Sequence, residues 1–167
     1  MRTTLVIMIL SFITQLWAAP PKTVGYVDLA KYAGLWYEIA KYPKWYEKGM
    51  TQIRAEYIPM GDYIRVINSG IKKGKVKQIK GKAFVVKNSG NAKLRVQFFW
   101  PFKGDYWIIG LADDYSWAVV SDKKRSSLWI LSRTPHLAAE IYDAVLGILR
   151  SDGFDLSKLV KTEQNGS

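Results

Sequence analysis

The sequence predicts an all-β domain: an antiparallel meander of eight strands, closed into a barrel or split into two packed sheets, followed by one α-helix. Three observations carry this expectation. Aromatic residues make up 14% of the 167 residues, with seven Trp and ten Tyr, a composition favoured in strands and apolar pockets. From Leu35 to Leu131 short β-type runs are separated by Gly, Asn, Asp and Pro, without helices between them. After the last run a single apolar stripe recurs at helical spacing. A meander this long must close or split, because exposed edges promote aggregation.

The chain opens with Met1-Arg2-Thr3-Thr4, short and positive, then Leu5–Ile13, apolar apart from Ser11, then Ala18 and Ala19. That order matches a secretory signal peptide, and the apolar run is shorter than the ~20 residues that span a bilayer. Cleavage after Ala18 fits better than after Ala19, which would place Pro20 just past the bond and Trp17 upstream. Residues 1–18 are therefore expected to be removed, and 19–167 to form a single domain. The mature chain is expected to be exported, periplasmic or secreted, as a monomer or homodimer.

Candidate strands follow at Leu35–Lys41, Thr51–Pro59, Tyr63–Gly70, Lys75–Val86, Lys93–Trp100, Asp105–Ala112, Trp117–Ser121 and Ser127–Ser132. Their connectors carry turn chemistry: Met60-Gly61-Asp62, Lys73-Gly74, Asn88-Ser89-Gly90-Asn91, Phe102-Lys103-Gly104 and Asp113-Asp114. In Leu94-Arg95-Val96-Gln97-Phe98 the apolar and polar positions alternate, which places one face on an apolar interior and one in water. Tyr106–Ile109 and Leu128–Leu131 are apolar on both faces and need an outer cover. Thr134-Pro135 reads as a helix start. Leu137, Ile141, Val145 and Ile148 or Leu149 supply the covering stripe, and Arg150 and Gly153 the stop. Phe154 and Leu156 continue the packing, and Lys158–Thr162 is a candidate for a short last strand.

Composition excludes much of the common catalytic toolkit. Cysteine is absent, so there is no disulfide, thiolate metal site, cysteine nucleophile or lipid-modified cysteine. The single histidine, His136, cannot build a histidine metal cluster, and no cofactor motif is present. The formal net charge is +11, or +10 once Arg2 is removed with the leader. Much of the excess lies in Lys72, Lys73, Lys75, Lys77, Lys80 and Lys82. Such a stripe suits an anionic membrane surface or ligand headgroup, or simply a solvated hairpin; nucleic acid is the weakest fit for an exported protein.

Gly34-Leu35-Trp36-Tyr37-Glu38-Ile39-Ala40 carries a Gly-x-Trp signature, and Trp129-Ile130-Leu131-Ser132-Arg133-Thr134-Pro135 a matching arginine motif. With Asn68, Phe98–Pro101 and Tyr106–Ile108 in order between them, the sequence resembles the bacterial lipocalins of outer-membrane type related to apolipoprotein D, over about Val27 to Val160. The resemblance implies an eight-stranded up-and-down barrel with its helix outside, Gly34, Trp36 and Arg133 forming the structural signature. Trp36 would plug the narrow end with Arg133 stacked on it. The family's middle motif appears only as Ala112-Asp113-Asp114-Tyr115, and the lipid-anchor cysteine of many bacterial members is missing.

Strand alternation in the family's register puts Trp36, Glu38 and Ala40 inside the first strand, Tyr57 inside the second, and Asn68 and Gly70 inside the third. Phe98, Trp100, Tyr106, Ile108 and Trp129 complete the expected lining. With Glu38, Tyr57, Asn68 and Gly70 they form the candidate ligand-binding set. Such a cavity suits an acyl chain, with polar groups fixing a headgroup. The expected function is non-enzymatic binding, transport or storage of a fatty acid, lysophospholipid or similar amphiphile. A membrane-surface or lipopolysaccharide binder acting through the lysines, and a small lipid-acting enzyme, are the alternatives. Glu38 lacks a paired carboxylate, Asp113-Asp114 reads as a turn, and His136 as a surface residue. N-terminal sequencing of the exported protein should return Ala19 first; an intact Met1 or a lipid adduct would contradict this.

Overall fold

The computed structural model describes residues 19–165; the expected signal segment 1–18 lies outside the described residues. Eight strands follow in chain order: β1 (Gly34–Lys41), β2 (Met50–Pro59), β3 (Ile64–Lys72), β4 (Lys75–Val85), β5 (Lys93–Phe99), β6 (Phe102–Leu111), β7 (Trp117–Ser121) and β8 (Leu128–Ser132). Each pairs antiparallel with the next, and β1 pairs with both β2 and β8, so the sheet closes into an up-and-down barrel. Closure settles the choice between a barrel and two packed sheets. β6 begins at Phe102 rather than after it, because Phe99 pairs directly with Phe102 and leaves Trp100-Pro101 as the turn.

The two ends of the barrel differ. At the end where β1 begins, residues ahead of the barrel form a plug that sequence reading did not anticipate. Val24 and Val27 donate backbone bonds to Ile108 and Gly90. Asp28 then caps the short helix α1 (Leu29–Tyr32), accepting from the amides of Ala30 and Lys31. Val27, Tyr32 and Trp36 are fully buried there. The Arg133 guanidinium lies 3.8 Å from the centroid of the Trp36 indole and donates to the carbonyls of Leu35, Lys31 and Tyr115. Gly34, at φ +93°, starts β1 beside that guanidinium in a conformation that favours glycine.

One irregularity resets the interior pattern. Between Glu38 and Ala40 the β1–β8 register shifts, so two consecutive residues share one side and the alternation inverts. Ala40 was expected inside. It lies outside, opposite Ile130, in the cluster under the helix. Lys41 consequently turns inward.

Helix α2 (Ala139–Ser151) packs on the outer wall through Val145 and Leu149, with Tyr142, Leu146 and Phe154 beside them. It starts later than Thr134-Pro135. The Thr134 hydroxyl donates to the His136 carbonyl and its amide donates to the Ser132 hydroxyl, so this threonine closes a turn rather than capping a helix. Leu149, not Ile148, carries the stripe; Ile141 and Ile148 face water. Phe154 donates to the Leu149 carbonyl after Gly153 at φ +78°, the expected stop. A two-residue strand, β9 (Val160–Lys161), pairs with Ala40 and Lys41 of β1.

Trp36→Ala should lower unfolding free energy by about 3–5 kcal/mol in urea denaturation, the loss for a large aromatic removed from a core. Arg133→Ala should lower it less, and an Arg133→Ala protein that unfolds like wild type would contradict the capping role.

Candidate functional site

Above the plug the barrel encloses a cavity of about 540 Å³, within the usual size for a small-molecule site. Its floor is a layer of tyrosines. The Tyr57 hydroxyl donates to Tyr106 Oη at 2.7 Å, and Tyr32 Oη lies 2.7 Å from the same oxygen. Trp36 Nε1 donates to the Tyr32 carbonyl, so the floor rests on the capped indole. Burial pushes the hydroxyls of Tyr32, Tyr57 and Tyr106 above the usual tyrosine range, which keeps them neutral at physiological pH.

The wall above the floor is mainly apolar, with Ile53, Val66, Val96, Phe98, Trp129 and Leu131 facing the space. Asn68 lies among these apolar residues. Its Oδ1 is buried and has no hydrogen-bond partner among the described residues. A buried unpaired acceptor costs free energy unless something donates to it.

Near the mouth the inverted parity of β1 creates a charged group. Lys41 Nζ lies 3.0 Å from Glu38 Oε1 and 2.6 Å from Glu47 Oε2, and Thr162 donates to Glu38 Oε1 at 2.6 Å. Gln164 Nε2 donates to the carbonyls of Glu38 and Ile53, fastening the C-terminal segment across the gap where β1 and β2 part. Burial raises the Glu38 carboxyl above the usual glutamate value, against the opposing pull of Lys41. Lys41 and Thr162 hold this carboxyl in place at the edge of the cavity.

Of the nine residues in the candidate ligand-binding set, Glu38, Tyr57, Asn68, Phe98, Tyr106 and Trp129 face the cavity. Three do not. Trp100 is 86% exposed at the tip of the β5–β6 hairpin, since the strand ends one residue earlier. Gly70 is covered: a Cβ there would lie 2.8 Å from the Met50 methyl and 3.1 Å from Ile53, so those side chains fill its place. Ile108 is fully buried below the tyrosine layer, in the plugged end.

Sequence reading also missed residues. Lys44, Tyr46 and Glu47 enter the lining from the β1–β2 loop, and Phe99, Phe102 and Lys103 from the β5–β6 hairpin. Their signal was the aromatic density of those two loops. The lysines from Lys73 to Lys82 are exposed, Lys72 is half-buried, and all of them are absent from the cavity wall. Lys72, Lys73 and Lys75 surround a hairpin tip at the open end, whereas Lys82 lies over the Tyr63 ring at 4.7 Å. Among the described residues, no group of three His, Cys, Asp or Glu is arranged to hold a metal ion.

Comparison with known proteins agrees with this architecture. Residues 27–164 match the Lipocalin-like domain. The chain is 38% identical over 154 residues to the outer membrane lipoprotein Blc of Escherichia coli, covering 89% of this chain and 87% of that one. It is 38% identical over 158 residues to apolipoprotein D of Mus musculus, covering 87% and 81% respectively. Among solved structures, insecticyanin from the tobacco hornworm Manduca sexta superposes with a TM-score of 0.72 at 24% identity, over 87% of this chain and 85% of that one.

The raised Glu38 carboxyl has a consequence for stability. A carboxyl that holds its proton more tightly when folded contributes stability below the ordinary glutamate value, and that contribution is lost as pH rises through the raised value. The stability difference between wild type and Glu38→Gln should therefore shift against wild type as pH is raised from about 4 to about 7. Paired urea titrations would measure it, and a difference that does not vary with pH would contradict the assignment.

Proposed function

The chain belongs to the lipocalin family, and from that premise we propose that its barrel takes up the acyl chain of a fatty acid, lysophospholipid or similar amphiphile. Binding of small hydrophobic ligands is the family's general property, and its members are typically non-enzymatic. The observation that carries the lipid reading is the cavity wall itself: Ile53, Val66, Val96, Phe98, Trp129 and Leu131 make an apolar chamber that holds the unpaired acceptor Asn68 Oδ1, and the charged residues Glu38, Lys44, Glu47, Arg54, Lys103, Asp105 and Asp122 also border it. Apolar burial holds the chain at about 0.8 kcal/mol per methylene. A ligand hydroxyl or amide would satisfy Asn68. Lys44 and Lys103 at the mouth, with the Glu38–Lys41–Glu47 group, set the polarity that the headgroup meets.

The biological role that follows is noncovalent lipid transport or storage in the service of membrane maintenance. The leader-like first 18 residues and relatives named as outer membrane lipoproteins support an exported protein, periplasmic or secreted. Arg133 lies beneath the tyrosine floor and takes no part in ligand contact, so Arg133→Ala should leave affinity nearly unchanged.

Titration with fatty acids of increasing length should quench or shift tryptophan fluorescence through Trp129, with affinity rising about fourfold per methylene until the cavity is full. Phe98→Asp and Trp129→Asp, if folded by circular dichroism, should abolish binding by placing an unpaired charge against the chain. Affinity that is flat across chain lengths would reject an acyl-chain site. Matched fatty alcohols, run at two ionic strengths, separate the headgroup: equal affinity for acid and alcohol would remove Lys44 and Lys103 from headgroup recognition.

A further inference from the structure

Exposed aromatic rings are gathered at one end of this barrel. Of the six exposed Trp, Tyr and Phe side chains among the described residues, five lie in two loops at the open end, and Tyr26 is the exception. Trp45 and Tyr46 occupy the β1–β2 loop; Phe99, Trp100 and Phe102 form the β5–β6 hairpin. These loops stand on opposite sides of the mouth, because four strand positions separate them around the barrel. Trp45 and Trp100 are 87% and 86% exposed and do not line the cavity, so their exposure is not explained by ligand contact. Rings held in water on two facing loops form an apolar rim, which marks a site of interaction.

Charge divides along the same axis. The four connections at the open end, residues 42–49, 73–74, 100–101 and 122–127, carry Lys44, Lys48, Lys73, Lys123, Lys124 and Arg125 against two acids, Glu47 and Asp122. The opposite end, with turns 60–63, 86–92 and 112–116, the α1 segment 28–33 and Arg133, carries Lys31, Lys87 and Arg133 against Asp28, Asp62, Asp113 and Asp114. The aromatic rim is therefore also the basic end.

We infer that the open end docks on an anionic phospholipid bilayer, with Trp45 and Trp100 entering the headgroup layer and the surrounding lysines meeting lipid phosphates. Tryptophan is favoured at the depth where an apolar body and a polar N–H are both satisfied. Basic residues near an anionic leaflet add attraction that decays within a Debye length. Two aromatic tips on opposite sides of the mouth rest on one plane together, which turns the cavity entrance toward the lipid. A second copy of this chain is a poorer occupant, since it would bring the same positive charge against this face. The docking stands apart from the cavity reading: it places the cavity at a lipid source, whatever ligand enters.

Co-sedimentation tests the inference, using vesicles of phosphatidylcholine alone and of phosphatidylcholine with phosphatidylglycerol in equal parts. Wild type should partition at least about tenfold more strongly onto the mixed vesicles, and high salt should close that gap. The double variant W45S/W100S should lose at least about tenfold of its partitioning onto the mixed vesicles. Its circular dichroism and its affinity for a fatty acid in solution should stay at wild-type values. K123E/K124E should weaken binding to mixed vesicles and leave binding to neutral ones unchanged. Wild type that ignores both vesicles, or W45S/W100S that partitions like wild type, would overturn the inference. So would a dimer that W45S/W100S splits in size-exclusion chromatography while vesicle binding is unchanged, which would assign the rings to a second copy. Wild type that binds vesicles but takes up no fatty acid would reject the cavity reading and leave docking in place.

Discussion

An eight-stranded barrel is a tube, and a tube holds an apolar ligand only if one end is shut against water. Here the fully buried Trp36 and Tyr32 shut it, and the Arg133 guanidinium fastens that closure from outside. Its face lies over the Trp36 indole and its edge reaches the carbonyls of Lys31, Leu35 and Tyr115. One side chain from the end of β8 thereby joins the helix ahead of the barrel, the first strand and the β6–β7 turn. A planar group with five donors can satisfy several carbonyls while stacking, which an ammonium cannot do. Trp36, so held, donates to Tyr32, and Tyr32 meets Tyr106, which accepts from Tyr57. The cavity floor thus inherits its position from the cap beneath it.

The shift in β1 register has a comparable reach at the other end. By inverting the alternation after Glu38, it sends Ala40 out to the helix and brings Lys41 in between two carboxylates. Ionised groups this buried need partners, because desolvation outweighs attraction when pairing is incomplete. Thr162 and Gln164 supply further bonds from the chain's last segment. The result is a polar collar above an apolar chamber, the polarity gradient that an amphiphile has along its own length.

Charge and aromatic exposure give the barrel a direction. Its plugged end is close to charge balance and its mouth is basic, with rings at the tips of two facing loops. The lysines along β4 belong to a different problem. Residues Lys75–Gly81 of β4 pair with β3 but lie outside the β4–β5 pairing, which begins at Lys82. Lysines on a strand edge that lacks a neighbour oppose edge-to-edge association. The bland role of a solvated hairpin therefore has a physical reason beside it.

The sequence by itself determined the strand order, the barrel's antiparallel character, the outer helix and the Trp36–Arg133 signature. Each is written in local signals: period-2 alternation, Gly and Asn at turns, a helical stripe, and two motifs flanking the barrel. Much of the wall was legible for the same reason. Tyr57 and Trp129 sit where the strand pairing runs unbroken from the neighbouring turn, and Phe98 still faces the cavity although β5 shifts register against β6 between Val96 and Phe99. Legibility failed wherever one residue's position depended on a distant contact. Lys41 points inward only because β1 slips against β8, Gly70 is lost to the wall because Met50 fills its space, and Ile108 lies below a floor made by Tyr32. The late start of α2 likewise follows from a threonine that bonds within its own turn. Periodicity specifies which residues share a face; a bulge, a filled gap or a plug from another segment decides what that face meets. Those are decided by packing across the barrel, and only the tertiary structure contains it.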